Sequence, residues 1–133
     1  MTLTLGKGRV IAMSSKQKLN TRSSTEAELV ALDDGIGMIL WTKRFLEAQG
    51  YKGVKHLIDQ DNQSTLKLAK NGRTSAGKRT RHMNIRYFYI TDQINNGNVT
   101  VEYRPTKQMT SDYMTKPLQG SLMQHHHRNI MNY

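Results

Sequence analysis

Residues 57–69, LIDQDNQSTLKLA, place the tightest constraint on what this chain can fold into. An apolar run suited to a strand ends at two acids and passes without a linker into a segment whose apolar residues recur at helical spacing. A strand followed directly by a helix lets the next strand return parallel to the first, so the pattern points to an α/β domain with a parallel component in its sheet. It also puts Asp59 and Asp61 at the end of a strand and the start of a helix. Such junctions are fixed by the sheet, and a helix N-terminus favours negative charge.

The flanking sequence fits the same class. Residues 2–5 and 9–13 are short β-prone runs around Gly6-Lys7-Gly8 and read as a hairpin whose glycines supply φ > 0. In SSTEAELVALDDGIGMILWTKRFLEAQG, residues Leu29, Leu32, Ile36 and Leu40 share one helical face, and Gly50 sits where a C′ glycine belongs. A helix of about 25 residues is expected there. Gly35 and Gly37 weaken its middle by about 1 kcal/mol each relative to alanine and mark close packing or a bend. NQSTLKLAKNG reads as a helix stopped by Gly72, and RTSAGKRTR as a basic loop. A further helix carries Met83, Tyr87, Ile90 and Ile94 on one face until NNGN ends it. VTVEYRP is a strand stopped by Pro105, DYMTK supplies one or two helical turns, and residues 121–133 are weakly patterned. At 133 residues, one domain (1–133) with one core is expected.

Composition decides the class of partner. Lys and Arg number 20 against 10 Asp and Glu, a net charge of +10, and the pI is about 10.0. The resulting positive field attracts polyanions, nucleic acid first among them. A lipid-binding basic helix would need a strong apolar face opposite its cations, and no segment has one. With no cysteine, disulfides, thiolate zinc sites and cysteine nucleophiles are excluded. No stretch approaches the ~20 apolar residues of a membrane span, and MTLTLGKGRV lacks the apolar centre and cleavage pattern of a secretory signal. The expected location is cytoplasmic or nuclear.

Hydrolysis of a phosphodiester with divalent metals needs several carboxylates at one point, because hard cations take oxygen ligands. The candidates are Glu26 or Glu28, Asp59 or Asp61, and Asp112. With Ser23 as N-cap, Glu26 falls at N3 and completes a capping box. Glu28 is then the better ligand candidate, the alternative being a solvated helical carboxylate. Asp61 is either a ligand or a plain N-cap, Asp59 a second ligand or a surface acid, and Asp112 a ligand or a first-turn acid. Lys78, Arg79, Arg81 and Arg86, beside a helix start, form a candidate phosphate-binding surface, which His82 joins unless it is a solvated first-turn residue. Tyr87, Phe88 and Tyr89 read first as core, with base stacking the alternative. The three histidines at 125–127 cannot surround one ion from adjacent positions and carry no metal site.

Together, SSKQKLNTRSSTEAELVAL, IDQDNQS, KRTRHMNIRYFYI and VEYRPTKQMTSDYMTKPLQG closely resemble the C-terminal ribonuclease H domain of copia-type retrotransposon polyproteins, over residues 2–120. The resemblance implies a ribonuclease H-like α/β fold, a mixed sheet with flanking helices. It implies Mg²⁺-dependent hydrolysis, with Mn²⁺ as the alternative ion, of the RNA strand of an RNA–DNA hybrid during reverse transcription. It places the family's metal-binding carboxylates on Glu28, Asp61 and Asp112, and its hybrid contacts on Lys78, Arg79, Arg81, His82 and Arg86. The reverse transcriptase portion of the same polyprotein is an implied partner. This chain departs from the pattern in one respect. The family's first catalytic aspartate lies on a first, central strand, whereas the chain begins inside the stretch that resembles the second. The resemblance therefore implies a fold lacking that strand and one ligand, with buried unpaired backbone groups costing about 1–3 kcal/mol each. It also lacks the loop histidine that many cellular relatives place before the last aspartate. Three expectations follow: a ribonuclease H active only once such a strand is restored or donated, a catalytically inactive nucleic-acid-binding relic, or an interaction fragment that docks by strand addition.

Overall fold

The computed structural model describes residues 1–21, 23–71 and 81–133; the basic loop at 72–80, with Gly72, Lys78 and Arg79, lies outside the described residues. Among those residues it is a mixed α/β structure with four α-helices and two small sheets. The chain divides into two compact units, one of residues 19–103 and one of residues 1–18 with 104–133.

In the 19–103 unit, helix α1 (Ser24–Ala48) forms where the apolar spacing places it. Its N-terminus is closed by Ser23, whose Oγ accepts from the Glu26 amide at 3.2 Å. Its C-terminus ends in a Schellman turn: Gly50, at φ +90°, donates to the Glu47 carbonyl and Tyr51 to that of Leu46, each at 3.0 Å. Glycine is the one residue that enters this left-handed conformation without a Cβ penalty. Of the two mid-helix glycines, Gly35 is buried. Gly37 is exposed, and a Cβ added there meets nothing within 4 Å. Close packing therefore does not account for Gly37.

Strand β3 (Leu57–Gln60) runs parallel to strand β4 (Thr100–Tyr103), with Ile58 beside Val101 and Asp59 beside Glu102. A parallel pair requires a crossover. Here it contains helix α2 (Gln63–Asn71) and helix α3 (Arg81–Asn95). The core consists of Leu29, Val30, Leu32 and Ile36 from α1, Ala69 from α2, Tyr87 and Ile90 from α3, and Val99 and Val101 at β4. Burying each large aliphatic member stabilises the unit by about 1.5–3 kcal/mol. Of the three consecutive aromatics on α3, Tyr87 alone is buried, at 4% exposure; Phe88 is 64% and Tyr89 38% exposed.

The other unit begins with the expected hairpin. Strand β1 (Thr2–Leu3) pairs antiparallel with strand β2 (Ile11–Ala12). Regular pairing is shorter than residues 2–5 and 9–13 because the intervening chain makes a wide turn through Gly6 (φ +131°) and Gly8 (φ +67°). DYMTK contributes to a 3-10 turn at Thr110–Met114, preceded by another at Thr106–Gln108. Residues 121–133 differ from the expectation of a weakly patterned tail, since helix α4 spans Gly120–Met131. Its signals are faint in sequence: Gln119 at the N-cap makes no side-chain capping bond, and the residue it buries is a histidine. His126 is 1% exposed, and neither ring nitrogen finds a hydrogen-bond partner among the described residues.

The described strands form two separate two-stranded sheets, β1–β2 and β3–β4.

Two stability predictions follow from these placements. Gly37→Ala should stabilise the protein by about 0.5–1 kcal/mol, because the site has room and alanine forfeits less backbone entropy on folding; urea denaturation reads the change. Burial pushes the pKa of His126 down, His125 adds to the shift, and Asp112 opposes it. His56, lowered by burial and Lys43 against Glu47, shifts the same way. A histidine neutral when folded and protonated when unfolded binds its extra proton in the unfolded state, so stability is full above the unfolded pKa of about 6.5 and falls as pH drops below it. The melting temperature should decline from pH 7.5 to 5.5, and His126→Leu should flatten that decline.

Candidate functional site

The β3–α2 junction assigns separate work to neighbouring polar residues. Gln60 is buried, and its Oε1 accepts from the Asn62 amide at 3.0 Å. Asn62 is the N-cap of α2: its Oδ1 accepts from the amides of Ser64 at 3.0 Å and Thr65 at 3.1 Å. Those are the N2 and N3 donors a cap must satisfy. Asp61 is therefore not the capping residue. It stands half-buried between the last residue of β3 and the cap, at the carboxyl end of a parallel strand pair, where α/β folds place their ligand sites. Asp59, one turn of the pleat earlier, is also half-buried and lies beside Glu102 in register.

Glu28 lies in the second turn of α1 and is half-buried. Glu26 occupies N3, as the capping-box spacing requires. Asp112 belongs to the other unit, within the Thr110–Met114 turn, where its Oδ2 pairs with Lys116 Nζ at 2.8 Å. The Asp112 side chain is 14% exposed and Lys116 48% exposed, so solvent screens a pair of this kind to about 0–1 kcal/mol. Glu28 and Asp61 thus share one unit, and Asp112 sits in the second.

Carboxylate oxygens are the right chemistry for Mg²⁺. Among the described residues, however, no three His, Asp or Glu side chains are grouped so as to hold a metal ion. The described carboxylates do not by themselves make a complete metal site, and no reaction step is assigned through one.

Of the expected phosphate-binding cations, Lys78 and Arg79 lie outside the described residues, and Arg81 and His82 open α3. Arg86 is engaged within the protein. Its guanidinium pairs with Asp33 of α1 and lies 3.7 Å from Asp34. Burial pushes the Asp33 carboxyl above its ordinary range; Arg86 pulls it down, and Asp34 pushes it up again. Burial wins that contest, so the Arg86 charge serves first to offset a half-desolvated acid on the neighbouring helix. Nothing in the local sequence flags this pair, because its partners are 53 residues apart.

Sequence reasoning missed one feature altogether. In the unit of residues 1–18 and 104–133, Lys7, Arg9, Arg104 and Arg128 line one groove. The only advance signals were the lysine inside the glycine turn and the basic residue late in α4, in a segment without evident pattern.

No protein-family model matches the chain, and no solved structure matches it. Curated relatives do. The Retrovirus-related Pol polyprotein from transposon TNT 1-94 of Nicotiana tabacum is 31% identical over 113 residues, which is 85% of this chain and 8% of that protein. The Transposon Ty1-NL2 and Ty1-DR6 Gag-Pol polyproteins of Saccharomyces cerevisiae are each 30% identical over 113 residues, 84% of this chain and 6% of theirs. The chain spans less than a tenth of the length of these relatives. It is a homologue of one short segment of retrotransposon Pol and Gag-Pol polyproteins.

Proposed function

We propose that this segment is the ribonuclease H part of such a polyprotein, which binds RNA–DNA hybrid beside the reverse transcriptase and hydrolyses the RNA strand with Mg²⁺, or Mn²⁺ in its place. The observation that carries this reading is Asp61: an acid at the carboxyl end of a parallel strand, relieved of capping by Asn62. Glu28 and Asp112 are the two further carboxylates the reading assigns to metal binding. The cations Lys78, Arg79, Arg81 and His82 would hold the hybrid by its backbone, which positions a duplex without reading its sequence. Arg86 would contribute only by loosening its pair with Asp33.

A second reading rests on the charge of +10. A polyanion-binding relic needs that field and no carboxylate cluster.

Cleavage of an end-labelled RNA–DNA hybrid in Mg²⁺ decides between them. The ribonuclease reading expects this segment, carried in its polyprotein, to cut the RNA strand, and Asp61→Asn there to abolish the cut. Asn62→Ala should cost about 0.5–2 kcal/mol through the lost cap. Binding of the hybrid without cleavage would favour the relic.

A further inference from the structure

A groove of about 590 Å³ opens within the unit of residues 1–18 and 104–133, between the glycine turn of the hairpin, the start of the 104–110 segment and the C-terminal half of α4. Its lining holds Lys7, Arg9, Arg104 and Arg128, with His125 beside them and no aspartate or glutamate. Another pocket, in the 19–103 unit, has Glu47 in its lining together with Lys43 and Lys55. Among the described residues, four cationic side chains line the groove and no side-chain carboxylate does, so the local field favours a phosphate group. Three of the four are arginines, whose planar forks match phosphate oxygens two at a time.

The groove is also built, rather than being a chance meeting of surface side chains. The Arg9 amide donates to the Ile130 carbonyl at 3.1 Å, which fastens the hairpin turn to the end of α4. Arg9 also donates from its guanidinium to Thr110 Oγ1, so the 104–110 wall is tied to the same turn. At Gly8 the turn passes so close to α4 that an added Cβ would lie 3.1 Å from the Asn132 Cβ. These contacts fix where the cations stand, leaving Lys7 and Arg128 exposed at the rim.

We propose that this groove binds the backbone phosphates of a nucleic-acid strand. It is built from residues other than the 78–86 cations, and it needs neither metal nor hydrolysis. A phosphate with its sugar fits the volume.

The test is the salt dependence of binding of a fluorescein-labelled twelve-nucleotide oligothymidylate, followed by anisotropy in EDTA. Each phosphate contact on a single strand contributes about 0.7 to the slope of log K against log salt. Lys7→Gln with Arg128→Gln should therefore lower the slope by about 1.4 and weaken binding about tenfold or more at low salt, with an unchanged thermal unfolding curve. Lys16→Gln with Lys18→Gln removes the same charge from exposed positions outside the groove and should leave the slope nearly as it was. Equal effects of the two pairs, or no effect of the first, would overturn the proposal. In the unaltered chain, inorganic phosphate should move the amide resonances of Lys7, Gly8 and Asn129 together. If phosphate moves them while the first pair leaves the oligonucleotide slope intact, the groove is a site for the free ion and the strand-binding proposal fails. Because no step involves metal or cleavage, the outcome is independent of whether the chain is a ribonuclease.

Discussion

The parallel pairing of β3 with β4 is the constraint on which the 19–103 unit depends. Two parallel strands cannot be joined by a tight turn, so the chain from Asp61 to Val99 has to leave the sheet, cross over and return. That crossover contains α2 and α3, and it brings Ala69, Tyr87 and Ile90 against the Leu29–Ile36 face of α1 and against Val101. The same topology determines where chemistry can be. Every residue immediately after β3 is delivered to the carboxyl end of the pair, held on one side by the sheet and on the other by the first turn of α2.

Much of this was legible in the sequence where a local rule has one solution. Helix α1 could be bounded at both ends because Ser23 and Gly50 meet the donor and acceptor needs of its termini by short-range contacts. The strand-to-helix junction was legible for the same reason. Which of the adjacent Asp61 and Asn62 caps α2 was not, since both side chains can accept from the same amides and only their placement separates them. Helix α4 escaped because its buried face is centred on His126, a residue that no hydrophobic pattern counts as apolar. Arg86 was grouped with the cations near it in sequence, while the acid that engages it stands on another helix. The division into two units and two sheets arises from long-range pairing, which residue periodicity does not encode.

Charge is distributed unevenly over this framework. In the 19–103 unit, acids stand among the cations: Asp33 and Asp34 beside Arg86, and Glu47 near Lys43. The groove between the hairpin turn and α4 has no such compensation from aspartate or glutamate. By sequence, residues 1–18 and 104–133 carry eight Lys and Arg against one Asp, whereas residues 19–103 carry twelve against nine Asp and Glu. The excess positive charge is therefore weighted toward the first set.

The capping of α2 by Asn62 has a further consequence. The helix start is anchored by an uncharged amide, whose bonds from the Ser64 and Thr65 amides do not titrate. An aspartate in that place would lose its charge, and part of its hold on the helix, as the solution turned acid. This anchor is indifferent to such a change.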